Sequence, residues 1–386
     1  NVNDATVTAG EEITVSTANG GQVTTTVATT EVTISPDGDP NHTVKYVGCD
    51  ANTTYGVNSG EMTTEDRVEI TSGTEYDLKV QLGAKETTVE TNSSNEGVTT
   101  VTKGTDVNGN DTVVVESTKA NDNITVNAGG GAIEYTTSED NTKIIISEDT
   151  KDVVLKEGGV NVPKNGSISL PSGEKISNTT DGSENITVSS DGSVQIPDGG
   201  EATIGNGEDS VKISVPESTP ANLPAKVEMG ADGSLDITAE AGNKVAINGQ
   251  IFETGAYDTT FDLNVNDDGS TDIVVKEGSV VLAPGQSITD SNGVTYTNPA
   301  DSTGNLELNM STGSDTEVNV EPGESFEFTP AGSSEPVKYD NPGNSDSSFT
   351  VSPAGDVSLN SDIGISGGDD VSININGTQA DIAIPE

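Results

Sequence analysis

The chain has 386 residues, of which only 30% are hydrophobic, and it sets 64 acidic against 16 basic side chains for a formal charge of −48. An ordinary globular chain is roughly 45–50% apolar with glycine included, so thick multilayer cores are not expected, and charge of this sign repels nucleic-acid phosphates and anionic lipid surfaces. One Cys, one His and no Trp remove most of the side chains on which nucleophilic catalysis, zinc capture and stacking recognition depend.

Low hydrophobicity with high charge also marks disorder, but the apolar residues are placed, not scattered. In chain order, Ile13 and Val15, Val32 and Ile34, Val113 and Val115, and Ile144 and Ile146 stand two apart with polar residues between them. The same holds for Val211, Ile213 and Val215, and for Ile382 and Ile384. Period two is the mark of a strand with one dry and one wet face. Thr, Val and Ile, stiff at their first torsion, favour that pleated surface. Asp-Gly, Asn-Gly and Gly-Gly pairs between the runs supply the positive φ angles of tight turns. No stretch carries helical spacing. The chain reads as all-β, with no apolar run near the roughly 18–20 residues of a membrane span.

A repeating unit follows from residue 186: an alternating apolar run, a turn ending in Gly, a second run. It covers Ile186 to Ile196, Val227 to Ile237, Leu263 to Ile273, Leu308 to Val320 and Phe349 to Leu359, with turn glycines Gly192, Gly233, Gly269, Gly313 and Gly355 about 40 residues apart. Second turns at Asn248-Gly249, Asn292-Gly293 and Asn376-Gly377 make four short strands per unit. Upstream, Asn165 to Gly173 resembles Asp191 to Gly199 at a shorter spacing, and residues 1–150 share the grammar without aligning to the unit. The expected organisation is therefore an N-terminal β-rich region, 1–150, and a repeat array, 151–386. A β-solenoid-like stack, elongated and with a thin apolar strip, is preferred. Tandem antiparallel β-sandwiches are the alternative, since two-residue Asn-Gly turns usually join antiparallel strands.

The chemistry is sparse. His42, in Asp39-Pro40-Asn41-His42, is the sole imidazole, and it reads as a solvated loop residue; Cys49 reads as a small buried one. Paired carboxylates are everywhere, so none is singled out as a glycosidase pair, and Ala128 to Ala132 lacks the Lys of a phosphate loop. Calcium is the ion this residue set suits, because it takes oxygen ligands from turns. Asp106, Asn108 and Asn110, and Asn264, Asn266 and Asp268, space oxygens at alternate positions. Both sets lack the acidic twelfth residue of a calcium-binding helix-loop-helix, because Ser117 and Val275 stand there. No other cofactor is expected.

Val280 to Ile288, with Ala-Pro-Gly-Gln-Ser, Val318 to Phe326, with Glu-Pro-Gly-Glu-Ser, and Gly293 to Thr297 resemble the strand openings of repeat-rich, adhesin-like surface proteins of Gram-positive bacteria. The likeness covers residues 160–386. It implies a cell-surface or secreted location and a stalk or adhesive role, including capture of a host or neighbouring-cell protein; it transfers no site residues. The expected function is a non-enzymatic extracellular structural or adhesive module. The alternatives are a self-associating filament or surface-layer subunit and an accessory module of a secreted carbohydrate-active enzyme.

Overall fold

The computed structural model describes residues 12–16, 22–26, 31–47, 54–55, 59–62, 67–71, 76–82, 85–92, 97–127, 131–148, 152–207, 210–230, 233–265, 271–341, 346–359, 370–375 and 378–383. They are all-β, and the hydrogen-bonded ladder stays open, not closed into a barrel. No helix among them is long and apolar enough to cross a membrane. By contacts the chain forms two compact units, one of Asn1–Val194 with Ala202–Asn206 and one of Gln195–Glu201 with Gly207–Glu386.

Each unit is built from two sheets. In the first unit one sheet runs, strand by strand, through Glu31–Ser35, Val44–Val47, Arg67–Thr71, Val98–Thr105, Asp111–Ser117, Thr142–Ser147 and Val153–Glu157. The other runs through Tyr76–Leu82, Lys85–Asn92, Asn123–Asn127, Ala132–Thr137, Gly159–Val162 and Ile186–Ser189. The chain lays a hairpin on one sheet, crosses, lays a hairpin on the other, and returns. Each new hairpin pairs with the previous one on its own sheet. Thr142–Ser147 and Val153–Glu157 pair in this way, Ile144 facing Leu155.

The second unit follows the same plan. Val211–Ser214, Lys244–Ile247, Gln250–Thr254, the second half of Thr271–Leu282, Leu306–Met310, Thr316–Val320 and Ser347–Val351 form one sheet. Ala225–Met229, Leu235–Ala239, Thr259–Val265 and the first half of Thr271–Leu282 belong to the other, which continues through Ser287–Asp290, Thr295–Thr297, Ser325–Thr329 and Val337–Asp340. The two architectures weighed from sequence thus merge. The pairing is antiparallel as in a sandwich, and the hairpins are stacked one after another as in a repeat array. Four strands, a hairpin on each sheet, account for the period of about 40 residues.

The alternating residues form the core. Ile34, Val113, Val115, Ile144 and Ile213 are fully buried, and the two layers meet through their aromatic rings. Tyr46 and Tyr76 join hydroxyl to hydroxyl at 2.9 Å, and Phe252 and Phe261 lie 5.2 Å apart between ring centres. Among the described residues, the hairpin at Asn248-Gly249 departs from the expected alternation. Ile251 is half exposed, because the two-residue turn at Asn248-Gly249 sets Val245 opposite Phe252 and Ala246 opposite Ile251. Facing residues across a two-residue hairpin share a side. Phe252 therefore points inward and Ile251 outward.

Candidate functional site

At several places among the described residues the alternation of hairpins slips and a single strand replaces a hairpin. One is Arg67–Thr71, which leaves Ser59–Met62 and Tyr76–Leu82 parallel, and two others, one in each unit, share their construction. In the first unit the chain leaves one sheet at Glu157, turns at Gly158 and enters the other sheet at Gly159. In the second, Thr271–Leu282 runs straight from one sheet into the other through Gly278. Both glycines have positive φ, 70° and 116°. A Cβ at Gly158 would lie 2.7 Å from the Thr142 Cα, and one at Gly278 2.5 Å from the Thr259 Cα and against the Asp258 carbonyl. Only glycine fits so close to the neighbouring backbone.

The surrounding parts recur as well. The Thr142 hydroxyl donates to the Gly159 carbonyl at 3.0 Å, and the Thr259 hydroxyl to that of Ser279 at 2.6 Å. Asn178, buried, donates through its amide to Val162 and Glu184 carbonyls, both at 2.8 Å. Asn298, equally buried, donates to Leu282 at 2.8 Å and Gly304 at 3.0 Å. Asn178 and Asn298, Gly158 and Gly278, and Asp152 and Asp272 are each about 120 residues apart with no gap between.

Skipping a hairpin leaves two strands parallel. Val154 faces Ser169 in the first unit. In the second, Val274 faces Thr289 and Val275 faces Asp290. The register stops there, and toward the strand beginnings a split opens. In the first unit two polar side chains reach across it. From the opposite sheet the Tyr135 hydroxyl donates to the Ser167 carbonyl at 2.7 Å. On the outer face the Lys175 ammonium reaches the Asp152 carboxylate at 3.3 Å. Burial pushes the Tyr135 phenol up to about 12.

At the matching positions of the second unit stand Phe252, which has no hydroxyl, and Thr295, whose hydroxyl bonds that of Thr289 at 2.9 Å. The split is open. It holds a groove of about 410 Å³ lined by Gln250, Phe252, Thr271–Val274, Ser287–Thr289 and Thr295. That volume falls within the roughly 300–1,000 Å³ of small-ligand pockets. Phe252 is buried beneath it, while Asp272 is exposed at its rim.

Of the candidate site residues singled out from sequence that are among the described ones, Asn264 alone adjoins the groove. Asp106, Asn108 and Asn110 form a hairpin tip whose carboxylate faces its own loop. The Asp106 Oδ1 accepts backbone N–H groups of Asn108 at 2.8 Å and Asn110 at 2.9 Å, and Oδ2 accepts the Asn110 amide at 3.2 Å. The Asn110 backbone bond, first among these, holds the acid below the usual carboxylate range. This is an Asx turn. Asn264 sits opposite Asp272 in the ladder, beside the groove; Asn266 and Asp268 lie outside the described residues, as does Cys49. The His42 ring lies 2.6 Å from the Asp37 carboxylate, whose hydrogen bond raises the imidazole pKa. Among the described residues no three His, Cys, Asp or Glu side chains gather into a metal-holding group.

Ser287, Ile288 and Thr295 fall within the strand openings noted in the sequence and Ile273 ends a repeat run, but nothing along the chain sets them together as a site. The signal that finds them is the internal match at about 120 residues, and within it the change from Lys175 to Thr295. The chain matches no protein-family model, no curated protein and no solved structure.

Proposed function

We propose that the chain is a non-enzymatic extracellular module of structural or adhesive role, which displays binding surface on a repetitive, acidic two-layer scaffold. The observation that carries this reading is the interchangeability of the rungs. One hairpin plan, with the same glycine switch and the same buried asparagine tether, is used in both units. A stack in which each rung contacts its neighbours tolerates repetition and offers many equivalent surfaces. The charge of −48 keeps such a surface soluble and biases it toward cationic partners. Affinity capture from cell-surface and serum protein mixtures, followed by electron microscopy of the isolated chain, tests the reading. It expects a discrete protein partner and no turnover. Polymers formed without any partner would instead favour a filament subunit, and hydrolysis of a glycan by the chain would overturn it.

A further inference from the structure

We propose that the groove of the second unit is a receptor for a lysine side chain carried on an extended segment of a partner protein. The first unit supplies the template. There the same split is bridged on its outer face from within the chain by a lysine on the next extended strand but one, Lys175–Asn178, whose ammonium lies 3.3 Å from Asp152. Its inner end is closed by a hydroxyl donor on the Ser167 carbonyl. The second unit keeps the acceptor side of this arrangement, Asp272 for Asp152 and Ser287 for Ser167, on strands of the same register. Both donors have been replaced, Lys175 by Thr295 and Tyr135 by Phe252.

An aliphatic stem fits the rest of the groove. Ile273 and Val274, both partly exposed, line it above buried Phe252 and Ile288. A lysine lays its methylenes along such apolar surface while keeping its charge at the polar rim. The ammonium then meets Asp272 outside, as Lys175 meets Asp152. The parallel pairing stops at Val274 and Thr289, and the groove lies beyond it toward the strand starts, where an extended segment can lie alongside. Within the adhesive reading on which it rests, the proposal names the chemistry of the partner: an exposed, extended stretch with a lysine between small or β-branched neighbours.

The test uses the full chain and three probes: the peptide acetyl-Thr-Val-Lys-Val-Thr-amide, its norleucine counterpart, and butylamine. Binding is followed by methyl chemical shifts of Ile273 and Ile288. The lysine peptide is expected to shift both, and the norleucine peptide to bind about tenfold more weakly, the worth of one charge-assisted hydrogen bond. The double variant F252Y/T295K, which installs the closing pair of the first unit, is expected to abolish the shifts with far-ultraviolet dichroism unchanged; D272N should weaken binding while leaving the groove open. Equal binding of the norleucine peptide would overturn the proposal. So would shifts from butylamine as large as those from the peptide, which would mark a site for free amines, or a response that survives in F252Y/T295K. If the double variant still captures the partner found by affinity while losing the peptide, the adhesive reading stands and the groove is not its contact.

Discussion

The slip at Gly158 and the slip at Gly278 are the same device finished in two ways. The glycine, the threonine clamp, the asparagine tether and the parallel register are common to both. They belong to the fold. What differs is a phenol and an amine, present in one and replaced in the other. Neither is needed for the strands to pair, since the parallel register of the second unit is the longer of the two. A group that can be removed without loss of register is free to be traded for an open surface.

The glycines test the shared part most severely. Gly278→Ala is expected to destabilise the second unit by about 4 kcal/mol, from positive φ and overlap with the Thr259 backbone, and Gly158→Ala to do comparable harm to the first. Urea unfolding with a reporter in each unit measures both, and a loss below about 1 kcal/mol at either would separate the two junctions. Next come the tethers. Asn298→Ala leaves the Leu282 and Gly304 carbonyls without their amide donor, at about 2–4 kcal/mol, and Asn178→Ala should match it.

The remaining predictions address the difference. The Tyr135 pKa is raised to about 12 in the folded state, above the phenol's ordinary value near 10. Its stabilisation is therefore complete below pH about 10 and is lost as pH rises toward about 12, a fall of about 2–3 kcal/mol. Stability-against-pH curves of the native chain and of Tyr135→Phe should run parallel below that window, offset by the lost hydrogen bond, and the offset should change only within it. The exchange Y135F/K175T should cost about 1–2 kcal/mol, one hydrogen bond and one half-exposed ion pair, and should raise the stoichiometry of lysine-peptide binding from one to two. The smallest effect is that of F252Y/T295K, a gain of about 1 kcal/mol in the second unit, visible as a shift of its denaturation midpoint.

Much of this architecture was legible in the residues. Alternation at Val113 and Val115 or Ile144 and Ile146 could mean only strands, and spaced turn glycines such as Gly233 and Gly313 revealed the rung length. The sheet each rung occupies was hidden. A hairpin around Gly233 and one around Gly313 have the same pattern, yet they lie on opposite sheets of their unit. Nothing in alternation distinguishes the two layers, because both are dry on one face. Ile251 shows the same blindness at the scale of a turn, where the loop length and not the apolar character decides the side. The groove was harder still. Phe252 and Thr295 are ordinary strand residues until set beside Tyr135 and Lys175, and that comparison needs the pairing as well as the spacing. The oxygen-rich turns drew notice because their composition is unusual, whereas Asp106 serves the hairpin that contains it.

The lone strand through Gly278 also governs display. Hairpin tips at the same place in the repeat, such as Gly233 before it and Gly313 after it, belong to different layers of the second unit. Insert or delete one such strand and every later tip in that unit changes sides, while each rung keeps its own contacts. A lineage of these chains could therefore lengthen by whole pairs of hairpins without altering what it shows to either side, or reverse the presentation of everything downstream with a single glycine-bearing strand.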